Sequence, residues 1–261
     1  MSKKNKSKIV AIINQKGGVG KTTTAVNLSA YLAASEIPTL VVDMDPQANC
    51  TSGLGIEIGS YKQSVYDVVI GKKDINQCIL KTNLDYLDIL PASAQLVGAE
   101  IELVGMITRE RMLKDQLLSK EIQKKYRYII IDSPPSLGLL TINVLTAAHS
   151  LIIPIQCEYY ALEGLSQLLN TIRLVQKKLN KNLSIEGILA TMFDNRLNLS
   201  KEVVRELKEY FKDKVYKTKI HRNVRLGEAP SHGQPILLYD ASSIGANDYM
   251  NLAMEFLKNN E

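Results

Sequence analysis

The stretch IINQKGGVGKTTTAVNL, residues 12–28, constrains the fold more than any other part of the chain. An apolar run gives way to Gly17, Gly18 and Gly20, and a helix-forming sequence starts at once from Lys21. Strand, glycine turn and helix in this order present backbone N–H groups to an anion at a helix N-terminus. Gly17, Gly18, Val19 and Gly20 then cradle phosphate, with Lys21, Thr22 and Thr23 opening the helix. Lys21 is placed to reach the β- and γ-phosphates of a nucleotide, and the Thr22 hydroxyl to hold Mg²⁺. A glycine turn that merely starts a helix is the plain alternative, but G-K-T-T in strand–loop–helix context is rare by chance. One feature is odd: the first glycine of the pattern G-x-x-x-x-G-K-[ST] is replaced by Gln15, and a second lysine, Lys16, follows it.

Elsewhere the chain alternates β-rich apolar runs with helical patterns. Strands are expected at 8–14, 39–43, 84–90, 127–132, 150–155 and 184–190. Between them lie helical spacings such as Leu165, Leu168, Leu169, Ile172, Val175 and Leu179. Continuous apolar strands like YIIID and SLIIPI imply burial on both faces, hence a twisted, mostly parallel sheet flanked by helices. No internal repeat or low-complexity linker divides the 261 residues, so one α/β P-loop domain is expected, with residues 1–7 as a flexible basic N-terminus.

Three acidic residues fall at expected strand ends, where such sheets bind ligands. Asp132 closes YIIID and is the candidate to hold Mg²⁺ through a water. Asp43 and Asp45, in VVDMDPQAN, are expected to point the same way by strand alternation, one supporting the metal shell and one orienting the attacking water. A turn-forming Asp before Pro46 is the other reading of Asp45. With Lys21 already in the loop, Lys16 gains little from the same phosphates. Its position suggests a cation delivered to a second nucleotide across a two-fold interface.

KGGVGKTT resembles the deviant Walker A box of the ParA/MinD class of ATPases. DMDPQANCTSGLG, YIIIDSPPSLG, EYYALEGLSQLL, TMFDNR and HRNVRLGEAPSHGQPILLYDASSIGANDY are similar, in order, to blocks of ParA/Soj partition ATPases. The resemblance implies ATP and Mg²⁺ as cofactors and an ATP-sandwich homodimer in which Lys16 reaches the partner's phosphates. It implies catalytic roles for Lys16, Lys21 and Asp45, metal roles for Thr22, Asp43 and Asp132, and a base pocket at Met192, His221, Arg222 and Asn223. At the last three the family usually reads P-R-N, so His221 is a departure. It further implies weak ATP hydrolysis stimulated by a ParB-type centromere-binding partner, and non-specific double-stranded DNA binding that involves Arg196 and Arg225.

The segment SKEVVRELKEYFKDK adds a local signal. With Ser200 as N-cap, Val203, Val204, Leu207, Tyr210 and Phe211 fall on one side of a helix, and Lys201, Arg205, Lys208 and Lys212 on the other. Such a stripe is either a solvated face or a phosphate-contacting surface without base readout, and the net charge of +5 permits the latter.

Other classes fit less well. The three scattered cysteines form no metal or cluster pattern and suit a reduced, cytoplasmic protein, here expected to be nucleoid-associated. A MinD-like membrane switch is the nearest rival, but it needs a basic amphipathic C-terminal helix, and NLAMEFLKNNE carries Glu255 and Glu261 beside its apolar face. No membrane partner is therefore expected.

Overall fold

A computed structural model describes residues 7–159 and 164–261. Seven strands form one sheet in the order β3-β4-β2-β5-β1-β6-β7. They are β1 (Lys8–Ile12), β2 (Thr39–Asp43), β3 (Leu80–Lys81), β4 (Leu87–Leu90), β5 (Tyr128–Asp132), β6 (Ser150–Gln156) and β7 (Ser184–Thr191). All neighbours pair in parallel except β3, which runs antiparallel to β4 at the sheet edge.

Period-two alternation divides each central strand between two cores. Ile9 and Ala11 of β1 join Leu151, Ile153 and the helices Leu139–Ala147 and Leu165–Lys178 on one face. Val10 and Ile12 join Ile130, Ile152 and the helices Lys21–Ala34 and Ile244–Lys258 on the other. Every residue of β2 and β5 is buried. This two-sided burial makes the strands read as unbroken apolar runs.

Several expected boundaries move. β1 stops at Ile12, because the chain turns into the glycine loop. The fourth strand starts only at Leu87, since Tyr86 takes φ 62°, outside the range of extended backbone. β3 was not expected: two residues carry no periodicity. Ser7, the last residue of the N-terminus expected to be flexible, is instead buried and donates its hydroxyl hydrogen to the Tyr126 carbonyl. The rest of that segment, residues 1–6, lies outside the described residues, as do residues 160–163 of EYYALEGLSQLL.

The basic helix spans Asn198–Phe211 and starts three residues earlier than expected. Ser200 is therefore not its cap; it sits inside the first turn, buried, and its hydroxyl accepts from the Asp194 N–H. Val203, Val204 and Leu207 are buried as expected, but Tyr210 is 66% exposed because the helix ends there and its ring rests on Phe211. Lys201, Arg205, Lys208 and Lys212 all face solvent.

Candidate nucleotide site

The glycine loop leaves the carboxyl end of β1 between β5 and β6. Gly18 and Gly20 take φ 74° and 89°, the left-handed region that side chains with a Cβ rarely enter. Gly20 precedes the helix Lys21–Ala34, which has no side-chain cap and no acidic residue in its first turn. Its N-terminal N–H groups and dipole are thus left for an outside anion. The loop is fixed from behind. Asn14 accepts from the Lys16 N–H and donates to the Pro154 carbonyl, while Thr191 donates to the Val19 carbonyl. Val19 itself is buried, so it shapes the loop from inside the core.

The two lysines are sorted by the fold. Lys21 is 6% exposed, and its ammonium donates to the Lys16 carbonyl at 2.9 Å. Burial lowers its pKa, opposed by the charges of Asp132 and Asp45. Lys16 turns outward instead: its side chain is 40% exposed and its ammonium pairs with Glu158. It borders an open depression formed with Pro135, Ser136, Gly164 and Gln167.

Strand register gathers the acids. Asp132 stands opposite Ile12 of β1 and Asp43 of β2, so two carboxylates end adjacent strands at one level. Thr22 donates to Asp132 Oδ2 at 2.7 Å. Asp132 Oδ1 is buried and, among the described residues, has no hydrogen-bond partner. Burial pushes the Asp132 carboxyl well above its ordinary value, helped by Asp43, and burial brings Asp43 up to about 6. An orphaned carboxylate oxygen beside a threonine hydroxyl, in a site short of positive charge, fits a hydrated divalent cation.

Asp43 is used differently from Asp132. Its Oδ2 accepts from the Thr51 N–H at 2.8 Å and the Thr51 hydroxyl at 2.7 Å, and its Oδ1 accepts from the Asp45 N–H. These bonds suit a support for the metal shell. β2 ends at Asp43, so the alternation expected to align Asp45 with it does not reach that residue. Asp45 is 9% exposed and accepts from the Gln47 N–H through Oδ1. That turn contact is the one a plain Asp-Pro turn would make, and Asp45 nevertheless remains close enough to raise the Asp132 and Asp43 carboxyls.

Met192, His221, Arg222 and Asn223 line a single cavity of about 340 Å³ that also includes Gly20 and Thr23 of the loop. The segment after β7 therefore meets the loop around 221–223 against the phosphate cradle. Met192 holds φ 50°, a strained value for a residue with a long side chain. Tyr249 closes the cavity from the C-terminal helix, and its hydroxyl lies 3.2 Å from that of Thr24. Thr51 and Tyr249 lie inside the blocks DMDPQANCTSGLG and HRNVRLGEAPSHGQPILLYDASSIGANDY, but nothing in those blocks by itself assigns either residue a contact.

A family model described as AAA domain matches residues 7–185. The sporulation initiation inhibitor protein Soj of Bacillus subtilis is 61% identical over 252 residues, covering 97% of this chain and 99% of that protein. The chromosome partitioning protein ParA of Myxococcus xanthus is 53% identical, covering 96% and 88%. The chain belongs to the Soj/ParA family. Among solved structures, cobyrinic acid a,c-diamide synthase from Mycobacterium smegmatis, with bound ATP analog and magnesium, has a TM-score of 0.84 at 34% identity, covering 97% of this chain and 95% of its own.

Against the Soj/ParA pattern, His221 in place of proline has a specific partner. Its N–H and its Nδ1 both meet the Asp248 carboxylate, at 2.8 and 3.0 Å, and its ring stands edge-on to Phe193. The imidazole is thus held as a wall of this cavity. Asn223 caps the short helix Val224–Glu228 by accepting from the Arg225 N–H, so its side chain is spent on the backbone.

The two arginines singled out from the Soj/ParA resemblance are exposed but internally paired. Arg196 makes a two-point contact with Asp194, at 2.7 and 3.0 Å, and holds that carboxyl well below its usual range. Arg225 pairs with Glu228 at 2.9 Å and approaches Asp240 at 3.5 Å.

Proposed function

We propose that this Soj/ParA-family ATPase is an ATP-dependent dimerising switch that binds double-stranded DNA non-specifically in its ATP state and moves a chromosome or plasmid region. ATP and Mg²⁺ occupy the cradle. The loop N–H groups and Lys21 bind the phosphates, Thr22 and Asp132 hold the hydrated metal, and Asp45 orients the attacking water with Asp43 as support. Lys16 carries the reading. It borders the phosphate loop, yet its ammonium turns away from the slot that Lys21 fills, toward a half-exposed edge. A cation so placed serves a second protomer's triphosphate, as a finger supplied in trans.

Pairing two protomers doubles their basic surface, which multiplies affinity for a polyanion. Hydrolysis removes the γ-phosphate that Lys16 holds, and the pair and its DNA contact separate. Slow intrinsic turnover suits such a switch, with a ParB-type centromere-binding protein as the accelerating partner and the nucleoid in the cytoplasm as the site of action.

Co-sedimentation with DNA and with anionic liposomes, each with ATP, ADP or no nucleotide, tests the reading. ATP-dependent DNA retention is expected. Retention on liposomes alone would replace it with a membrane switch. The C-terminal helix gives that rival little support, since Tyr249, Leu252, Ala253 and Phe256 pack into the core with the helix Lys21–Ala34.

A further inference from the structure

The helix Leu139–Ala147 begins at Gly138, shortly after Asp132, with no side-chain cap and no acidic residue in its first turn. Gly138 takes φ −80° and ψ −168°, an extended conformation open to any residue, so the backbone does not call for glycine here. Space does. A Cβ at this position would run into Glu100 Oε1, with Glu100 Cδ at 2.8 Å and Oε2 at 3.0 Å. The end of the Glu100 side chain thus fills the place that the side chain of a capping residue would take.

Glu100 comes from a different element. It lies on the helix Leu96–Glu102, whose Leu96 and Ala99 are buried in the same core as Leu140 and Val144. That packing brings its carboxylate against the start of the second helix, where the free N–H groups and the dipole favour negative charge. Among the described residues, Glu100 Oε1 is buried and accepts no hydrogen bond. A buried carboxylate oxygen without a donor costs stability, so the packing of the two helices does not by itself account for an acid here.

Between Asp132 and Gly138 the chain is held at few points. Ser133 donates to the Ile12 carbonyl at 2.8 Å, and Thr141 donates to the Ser136 carbonyl at 2.6 Å. Pro135 and Ser136 are exposed and, with Leu137, border the depression beside Lys16. One end of this segment is therefore set by the strand that carries Asp132, and the other by the contact of Gly138 with Glu100. A shift of Gly138 moves Ser136 and Leu137 relative to Lys16.

We propose that Glu100 is a positioning residue for ATP hydrolysis: its carboxylate stands in for the missing cap of the helix Leu139–Ala147 and fixes the segment 133–138 between Asp132 and the edge where Lys16 lies. This assignment rests on the roles of Asp132 and Lys16 proposed above. Glu100 acts through Gly138 and not by direct contact with the reacting groups.

Two substitutions break the contact in independent ways. Glu100→Ala deletes the carboxylate, whereas Gly138→Ala displaces it and leaves it in the chain. The test compares wild type, each single variant, the double variant and Glu100→Gln. Without nucleotide or metal, Gly138→Ala should lower the thermal midpoint, and adding Glu100→Ala should recover most of that loss, because substitutions at touching residues are not additive. In steady-state hydrolysis of Mg-ATP below those midpoints, each single variant should lose about tenfold or more in kcat with KM within about twofold, since the groups that bind nucleotide are untouched and a displaced segment costs rate. The double variant should be no slower than the slower single one. Glu100→Gln keeps the shape and an acceptor, and should keep most of the turnover that Glu100→Ala loses.

Wild-type kcat in Glu100→Ala, or a loss confined to the thermal midpoint, overturns the positioning role. Losses that simply multiply in the double variant overturn the coupling through Gly138. A rise in KM alone assigns Glu100 to nucleotide binding and also overturns the proposal. Light scattering with ATP separates this from the reading beneath it: wild type that hydrolyses ATP without pairing overturns the trans role of Lys16, while the same kcat comparison still decides Glu100.

Discussion

Asp43 and Asp132 end neighbouring parallel strands as direct register partners, and both are fully buried. Two carboxylates at that spacing oppose each other's ionisation, and burial adds to the penalty. Each therefore binds its proton more tightly in the folded chain than in the unfolded one. Folded carboxyls of raised pKa cause stability to fall as pH rises from the unfolded value through the folded one, with Asp43 reaching about 6. Asp132→Asn removes one of the two charges and keeps an acceptor for Thr22. Without nucleotide or metal, the variant should unfold at a higher temperature than wild type, with a larger gain at pH 8 than at pH 5. A gain of about 1–2 kcal/mol corresponds to several degrees for a chain of this size. The same variant should lose most of the stabilisation that Mg-ATP gives wild type. A lower midpoint at pH 8 would show that the acids do not repel as the register implies.

Lys16 and Glu158 give the second prediction. The pair is half-exposed on both sides, so breaking it costs under about 1 kcal/mol of fold stability. Lys16→Ala should therefore fold and bind nucleotide as a monomer much as wild type does, because Lys21 and the loop remain. Its ATP-dependent dimer should disappear. Light scattering with ATP and Mg²⁺ checks this, and a variant that still doubles its mass would remove the trans role of Lys16.

Asp45 gives the third. Its backbone is tied to Asp43 and its Oδ1 to Gln47, which leaves Oδ2 as the oxygen available to a water. Positioned general-base groups contribute roughly 10²–10⁴-fold. Asp45→Ala should thus slow turnover by at least about 10²-fold and leave an ATP-bound dimer that persists through gel filtration. A variant that hydrolyses at the wild-type rate would return Asp45 to a turn residue.

Legibility in the sequence followed the range of each interaction. The glycine loop, Lys21, Thr22 and Asp132 were readable because their chemistry is written in contiguous residues at strand ends. The sheet faces were readable because burial on both sides leaves unbroken apolar runs. Asp43's support by Thr51 was hidden: the two lie eight residues apart in a segment with no period. Tyr249 was hidden more deeply, since only the packing of the last helix on the loop helix brings it to the cavity beside Gly20 and Thr23. The partners of Arg196 and Arg225 were hidden as well, because charge spacing cannot reveal that both side chains already hold acidic neighbours.

Glu186 joins the two ends of the described chain and gives the last prediction. It lies on the edge strand β7, where its Oε2 accepts from Lys8 Nζ at 2.6 Å and its Oε1 from Asn260 Nδ2 at 2.8 Å. Burial by itself pushes this carboxyl up, but the hydrogen bonds from Lys8 and Asn260 outweigh it and the net shift is downward. The folded carboxyl thus releases its proton more readily than the unfolded one, so its stabilisation is complete above the ordinary glutamate value. It is lost as pH falls through the lowered folded value. Glu186→Gln should cost about 1–3 kcal/mol near neutrality, because Lys8 loses its charge partner and one charge-assisted bond becomes a neutral one. As pH falls below the ordinary glutamate value the gap should narrow, since the unfolded chain takes up its proton first and the charge-dependent part of the stabilisation declines. Chemical denaturation at pH 7.5 and pH 3.5 reads both values. A destabilisation equally large at the two pH values would mean that Glu186 acts through packing and not through its charge.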